Sequence, residues 1–178
     1  MATTMTMTAP IESWAEEEFH HADLGDVRRT ERLIEIASTL GENPTASLPE
    51  ACCDNAPFSA TYRFFDNDKI NPDEILKSHT IASINRLAEH QVILAVQDTT
   101  YLDWTAKKAT EGLGPLANAY IQGLVLHSTL AFTPQKVPLG ILQEQVWARD
   151  PETYGKEKDK KRPIEEKESG NGSKASPQ

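Results

Sequence analysis

The sequence predicts an α+β protein, with helices in the first half of the chain and strands after them. Three observations predict this division. Residues 11–90 repeatedly combine helix-capping residues with apolar side chains at helical spacing. Residues 91–149 instead contain short runs of β-branched and aliphatic residues, separated by a loop with Gly and Pro and by a short hairpin connection. Residues 151–178 are charged and poor in apolar side chains, which predicts a disordered tail.

The composition is that of a globular protein with one or two domains. The chain has 178 residues, of which 38% are hydrophobic and 25% are charged. No apolar run is long enough to span a membrane and no signal peptide precedes the helices, so we expect a cytoplasmic protein without a membrane partner. Residues 1–10 predict a disordered polar leader. Cys52 and Cys53 are adjacent, which favours free thiols over a disulfide or a metal site.

The charge is distributed unevenly along the chain. The formal net charge is −9, and residues 1–90 carry seven Lys or Arg against 16 Asp or Glu. The remaining residues carry 11 of each sign. This charge argues against bulk electrostatic attraction to nucleic acid. Any DNA binding by the first half therefore requires a local arginine cluster, and we expect it to be weak on non-specific sites and sensitive to salt.

The first two helices are predicted from their ends. A short helix over residues 11–21 finishes in two adjacent histidines, whose side chains point in different directions and favour a surface position over a metal site. Asp26 is a good N-cap for the second helix, over residues 27–40. Gly41 follows this helix, where a left-handed glycine commonly ends a helix.

Three arginines lie near the beginning of the second helix. Arg28 and Arg32 are four residues apart, and Arg29 and Arg32 are three apart, so the spacing predicts one basic patch. Glu31 and Glu35 are close enough to pair with these arginines. Taken alone, the residues therefore favour a surface helix with internal ion pairs over a DNA contact.

Three further helices are predicted before residue 90. Ser47 and Glu50 have the spacing of a capping box, and a helix of about two turns runs from there to residue 55. Pro57 begins the next helix. The last one starts at residues 71–74 and runs to about residue 89. One aromatic face of the Pro57 helix is predicted to be core: Phe58, Tyr62 and Phe65.

The strand region begins with residues 91–98, which show no polar alternation and therefore predict a strand buried on both faces. Asp98 follows the apolar run, either at the rim of the sheet, where α/β proteins place their chemistry, or as the first residue of a turn. On spacing alone the turn is favoured. Two more strands are predicted over residues 124–132 and 139–147, joined by a hairpin.

Several motifs resemble bacterial cut-and-paste DDE transposases of the Tn-five type, in the IS-four superfamily. The resemblance spans roughly residues 12 to 170, with the motifs in order and at compatible spacing. The motifs are Leu-Gly-Asp-Val-Arg-Arg-Thr-Glu-Arg-Leu (24–33), Ala-Thr-Tyr-Arg-Phe-Phe-Asp-Asn (60–67), Ala-Val-Gln-Asp-Thr-Thr (95–100), Gly-Leu-Val-Leu-His-Ser-Thr-Leu (123–130), Pro-Leu-Gly-Ile-Leu (138–142) and Trp-Ala-Arg (147–149).

The resemblance implies two domains with different functions, DNA binding and catalysis. Residues 11–90 would be the DNA-binding domain, and residues 91–150 would be the first three strands of an incomplete RNase-H-like catalytic domain. Asp98 would be the first catalytic carboxylate and a ligand of Mg²⁺. The residues that would contact transposon-end DNA are Arg28, Arg29, Arg32 and Arg63.

The family's other two catalytic carboxylates have no counterpart in this sequence. Asp103 and Glu144 match no catalytic position of the family, so we expect a truncated transposase that binds DNA ends without cutting. After residues 165–170 the family continues with Lys-Trp, whereas this chain continues Asn-Gly-Ser, which favours a frameshifted or otherwise truncated transposase gene. The alternative is a regulator that occupies DNA ends or pairs with full-length transposase. A metal-dependent nuclease built on Asp98 alone is disfavoured.

Overall fold

A computed structural model describes residues 13–152 and 154. The predicted leader at residues 1–10 and all but three residues of the predicted tail lie outside this described part. The α+β class is confirmed, since helices are followed by an antiparallel sheet. The helices are α1 Trp14–Phe19, α2 Val27–Glu42, α3 Leu48–Cys52, α4 Asn55–Phe65 and α5 Pro72–Leu87. The strands are β1 Leu94–Asp103, β2 Gly114–Pro115, β3 Gln122–Phe132 and β4 Pro138–Trp147.

The chain forms two compact units, the first ending at Ala82 and the second beginning at Ser83. The first, which we call the helical unit, has a core that α2 supplies through Leu33 and Ile36. These positions are three apart on one face of the helix. Phe64 of α4 completes the core with two residues of the loop before α2, Ala22 and Leu24. Among the described residues, no helix has the length and apolarity that crossing a membrane requires.

The predicted helix caps are present. The Asp26 carboxylate accepts a hydrogen bond from the backbone N–H of Arg28, at 3.0 Å, and so begins α2. The Glu50 carboxylate accepts hydrogen bonds from the hydroxyl and the backbone N–H of Ser47, at 2.7 and 2.8 Å. These two bonds lower the pKa of Glu50. Local side-chain chemistry therefore fixes where both helices start.

Gly41 does not end α2, contrary to the prediction. The helix continues to Glu42, and a Cβ atom at position 41 would overlap the ring of Trp14. The glycine therefore permits a close approach of α1 to α2, and it has no role as a left-handed cap. Helix α3 ends early, at Cys52, because Cys53 adopts a positive φ of 54°.

The prediction for the aromatic face of α4 was wrong for Tyr62 and Phe65, whereas Phe58 is half-buried. Tyr62 and Phe65 are 56% and 58% exposed, whereas Thr61 and Phe64 face the core. Thr61 and Phe64 are themselves three residues apart, so α4 has two faces with compatible spacing. Packing against α2 selects the face with Phe64, and this choice is not encoded in the spacing.

The second unit is built on β3. Strand β1 pairs with β3 in antiparallel register over its whole length, from Leu94 opposite Phe132 to Asp103 opposite Gly123. Strand β4 pairs with the other side of β3, with two register irregularities. The two-residue strand β2 also pairs with β3 and lies inside the segment predicted as a loop. The last turn of α5 belongs to this unit, where Arg86 Nε donates a hydrogen bond to the Leu139 carbonyl at 2.7 Å.

The position of β1 contradicts the prediction of a strand buried on both faces. Within the described residues β1 lies at an edge of the sheet, and Leu94 and Val96 are 46% and 47% exposed. The fully buried side chains of this sheet are instead on β3, at Val125 and Ala131. An apolar run without alternation indicates that a strand is suited to burial. The strand is buried only where other elements of the fold cover it.

Candidate functional site

The candidate nucleic-acid site begins with Arg28, in the first turn of α2. Its Nε and Nη2 atoms donate hydrogen bonds to the two oxygens of Asp26, at 3.1 and 2.8 Å. These side-chain bonds are the main reason why the pKa of Asp26 falls to about 2. The Arg28 side chain remains 83% exposed. Arg28 therefore presents N–H donors to solvent, although the neighbouring carboxylate offsets its charge.

Arg29 and Arg32 also have partners inside the helical unit. Arg29 Nη1 donates a hydrogen bond to the carbonyl of Leu24 at 2.6 Å, which holds the loop before α2. Arg32 forms an ion pair with Glu35 at 2.6 Å. The surface ion pair predicted for Glu35 is thus present. The arginine cluster is not a free basic patch, and each of these three side chains has a structural role beside any contact with DNA.

Arg32 also lines a shallow cavity of about 270 Å³ between α2, α3 and α4. Glu35 and Thr39 contribute its polar rim, and the buried thiol of Cys52 contacts the hydroxyl of Thr61 at 3.8 Å in its wall. This cavity is open and has one acidic and one basic side chain at its edge. It does not have the excess positive charge that binding of a phosphate would need.

Arg63 differs from the other three arginines. It lies on the exposed surface of α4, and no described residue forms an ion pair with it. Two exposed aromatic side chains, Tyr62 and Phe65, are near it along the helix. The sequence predicts these aromatics in the core, and the structure instead exposes their rings to solvent. An exposed arginine suits a phosphate backbone, and exposed rings suit unstacked bases.

Asp98 lies in the middle of β1, and neither position expected from the sequence is correct. The strand continues five residues beyond it to Asp103, so Asp98 is neither at a strand end nor in a turn. The turn begins at Asp103, whose carboxylate accepts hydrogen bonds from the hydroxyl and backbone N–H of Thr105. These bonds lower the pKa of Asp103.

Pairing of the strands places Asp98 in a polar row across the sheet. Ser128 of β3 is opposite Asp98, and Glu144 of β4 is opposite Ser128. Directly opposed residues point to the same face of a sheet. The Ser128 hydroxyl donates a hydrogen bond to Glu144 at 3.3 Å, and the Thr100 hydroxyl donates one to Asp98 at 3.4 Å.

The donors around Asp98 do not fit a Mg²⁺ ion. Magnesium takes several oxygen ligands in octahedral geometry, and a two-metal site needs convergent carboxylates. The only carboxylate in the row besides Asp98 is Glu144, which lies two strands away. Over residues 13–152 and 154, no group of three or more His, Cys, Asp or Glu side chains is placed to hold a metal ion.

A comparison with protein families finds a match to part of the helical region. Residues 11–70 match the family described as Transposase DNA-binding. The match includes α1 to α4 and ends before α5, and it contains all four candidate arginines. It supports DNA binding by a transposase-related protein. The strands lie outside the matched residues.

Proposed function

We propose that this protein binds the ends of a transposon through its helical domain, residues 11–90, and does not cut them. The observation that carries the proposal is the match of residues 11–70 to a family of transposase DNA-binding domains. The resemblance to transposases of the Tn-five type supports the same assignment. In this proposal residues 91–150 are part of an RNase-H-like catalytic domain, and the antiparallel order of β1, β3 and β4 is compatible with that fold.

The contact surface in this proposal is centred on the exposed arginines, Arg28 and Arg63. Arg29 and Arg32 contribute through the same face of α2, but each must share its donors with a partner inside the helical unit. Residues 1–90 carry a net negative charge, so attraction to non-specific DNA is small. Recognition therefore depends on a few well-placed contacts, and affinity falls as salt rises.

Selection from a pool of random-sequence duplexes, with the full chain as bait, tests the proposal. We expect one sequence motif to be enriched, and fluorescence anisotropy then gives its affinity over a range of salt concentrations. Replacing Arg28 and Arg63 with Ala should weaken binding and reduce the slope of log K against log salt by about 0.9 per lost phosphate contact. Lys77→Ala is the matched control, because Lys77 pairs with Glu74 outside the matched residues. Absence of any enriched motif would contradict the proposal.

The double substitution Arg29→Ala and Arg32→Ala tests the two partnered arginines separately. We expect weaker binding of the selected duplex and a flatter salt dependence. Circular dichroism is needed beside the binding measurement, because Arg29 also holds the Leu24 carbonyl. If the folded variant binds as the unchanged protein does, these two residues are not part of the interface.

The absence of cutting is proposed from the donor set around Asp98. The family uses Mg²⁺, and in this chain Asp98 is the one residue that matches a family metal ligand. We expect no cleavage of the selected duplex with Mg²⁺ or Mn²⁺. Cleavage that is lost in Asp98→Ala would overturn this part of the proposal and favour a nuclease built on Asp98.

A second candidate function is regulation of transposition. It is favoured by the donor set around Asp98, since the part of the chain that the structure describes has no carboxylate cluster placed to hold a metal, and end binding without cutting would occupy the ends. Co-expression with an active transposase that uses the same ends should lower the frequency of transposition. Inhibition that disappears with Arg28→Ala and Arg63→Ala would indicate occupation of the ends. Inhibition that persists would indicate pairing with the full-length transposase.

A further inference from the structure

The outer edge of β1 is long and regular, and its charged residues are Asp98 and Asp103. The strand has ten residues, pairs with β3 without a bulge, and contains no Pro, Gly, Lys or Arg. Natural proteins usually protect such edges with prolines, lysines or bulges. Strand β4 illustrates this protection, since it begins with Pro138 and has two irregularities in its pairing. Strand β1 has neither, and no described strand pairs with its outer edge.

We propose that β1 pairs with β1 of a second copy of this chain, as antiparallel edge strands related by a two-fold axis. A two-fold interface uses the same surface on both copies, so it closes at a dimer and leaves neither β1 edge free. Backbone hydrogen bonds from both copies would then satisfy N–H and C=O groups at the two edges. This inference does not rest on the proposed function, because it concerns the second unit and requires no DNA.

Symmetry and charge together select the register. A two-fold axis normal to the sheet places one residue of β1, the central residue, opposite the same residue of the second copy. Nearly all of β1 is paired only when the central residue is Asp98 or Thr99. A centre at Asp98 would put two carboxylates directly opposite each other, which destabilises a strand pair. A centre at Thr99 avoids every carboxylate pair. It places Asp98 opposite Thr100 of the second copy, where a hydroxyl can donate to the carboxylate.

The same register pairs exposed apolar side chains. With Thr99 at the centre, Val96 of each copy is opposite Leu102 of the other copy. Val96 is 47% exposed in the single chain, and Leu102 is partly exposed. The two pairs lie symmetrically on either side of the axis and on one face of the joined sheet. Apolar cross-strand pairs of this kind stabilise antiparallel strands.

A pair of valine substitutions tests whether the edge makes the dimer. Val96 of β1 and Val146 of β4 are both exposed on the same face of the sheet, at 47% and 57%. We expect the full chain to sediment as a dimer without DNA, and Val96→Lys to raise the dissociation constant roughly tenfold or more. Val146→Lys is the matched control and should leave dimerisation unchanged. A monomer at all concentrations, an open polymer, or equal effects of both substitutions would overturn the proposal.

Cross-linking then tests the register independently of stability. In a background with Cys52 and Cys53 replaced by Ala, Thr99→Cys should form a disulfide with its own copy under mild oxidation. Val96→Cys should cross-link when mixed with Leu102→Cys, and neither of these should cross-link efficiently alone. Circular dichroism of each variant confirms that the sheet is retained. Cross-linking of Val96→Cys with Thr100→Cys in place of Leu102→Cys would indicate the Asp98-centred register and overturn the proposed one.

Discussion

The helical unit and the second unit, which we call the sheet unit, differ in how completely each pairs its own polar groups and buries its own apolar side chains. In the helical unit, side chains cap the helices and the arginines of α2 have carboxylate or carbonyl partners. In the sheet unit, β1 has an open edge and exposed apolar residues among the described part of the chain. The comparison teaches that helix caps and a shared core close the first unit, whereas the second unit leaves the backbone groups of one strand edge open to a partner.

Limited proteolysis of the full chain gives the largest expected contrast between the units. We predict that, in the chain diluted until it is monomeric, residues 91–149 are cut early and residues 11–90 persist as a resistant fragment, because an open edge and an uncovered face make opening of the sheet easier. Mass spectrometry identifies the surviving piece. If the strands survive and the helices are cut, the sheet unit is the more resistant to local opening, and the contrast between the units is the opposite of the one predicted.

Adjacent phenylalanines of α4 test whether the helical unit has a closed core. Phe64 is 5% exposed and Phe65 is 58% exposed. Phe64→Ala should lower the free energy of unfolding by about 3–5 kcal/mol, because it leaves a cavity against α2. Phe65→Ala should change it by less than about 1 kcal/mol. Urea unfolding followed by circular dichroism compares the two variants. Equal losses of unfolding free energy would indicate that both aromatic side chains are buried.

The cap of α2 predicts a dependence of stability on pH. Hydrogen bonds from Arg28 lower the pKa of Asp26 to about 2 in the folded chain, from an ordinary value of 3.8. A carboxyl group whose pKa falls on folding stabilises the protein above its unfolded pKa, so this contribution is complete above pH 3.8 and is lost as pH falls toward about 2. Solvent screens the exposed pair, so the effect is modest.

Asp26→Asn is the appropriate variant for this test, because Asn also caps helices but carries no charge. The difference in unfolding free energy between the unchanged protein and the variant should shrink as pH is lowered from about 4 to about 2. Chemical unfolding at several pH values in that window measures it. A difference that stays constant across the window would show that the carboxylate does not stabilise the folded unit through its charge.

The smallest effect on stability is expected at the ion pair of Arg32 with Glu35. Both side chains are substantially exposed, at 45% and 62%, so Glu35→Gln should cost no more than about 0.5 kcal/mol. Its effect on DNA should be opposite in sign, since the released guanidinium becomes available to a phosphate. Anisotropy with the selected duplex should show tighter binding. Weaker binding would mean that the ion pair itself positions Arg32.

Features determined by neighbours in sequence were predictable, and those determined by distant packing were not. The capping roles of Asp26 and Ser47 could be read from the sequence because each depends on residues within one turn. The buried face of α4 could not, since Phe64 is selected by its contact with α2. The role of Gly41 could not be predicted for the same reason. It permits contact with Trp14, which belongs to another helix, so the sequence around Gly41 suggests a helix end instead.

The candidate site shows the same limit. The sequence placed Arg28, Arg29 and Arg32 on one helix, and it identified carboxylates that could pair with them. It did not reveal that Arg29 would donate to the Leu24 carbonyl, because backbone acceptors leave no mark on the sequence. The sequence also did not predict that β1 lies at an exposed edge of the sheet. Hydrophobicity indicates which residues are suited to burial, and it does not identify what buries them.

The neighbouring thiols give the helical unit a built-in chemical reporter. Cys52 is buried at the wall between α3 and α4, and Cys53 is exposed on the far side of a left-handed backbone turn. An alkylating reagent should therefore modify Cys53 rapidly and reach Cys52 only when α3 separates from α4. The ratio of the two modification rates would report the free energy of that local opening in an unlabelled, unmutated chain, including its change when DNA is bound.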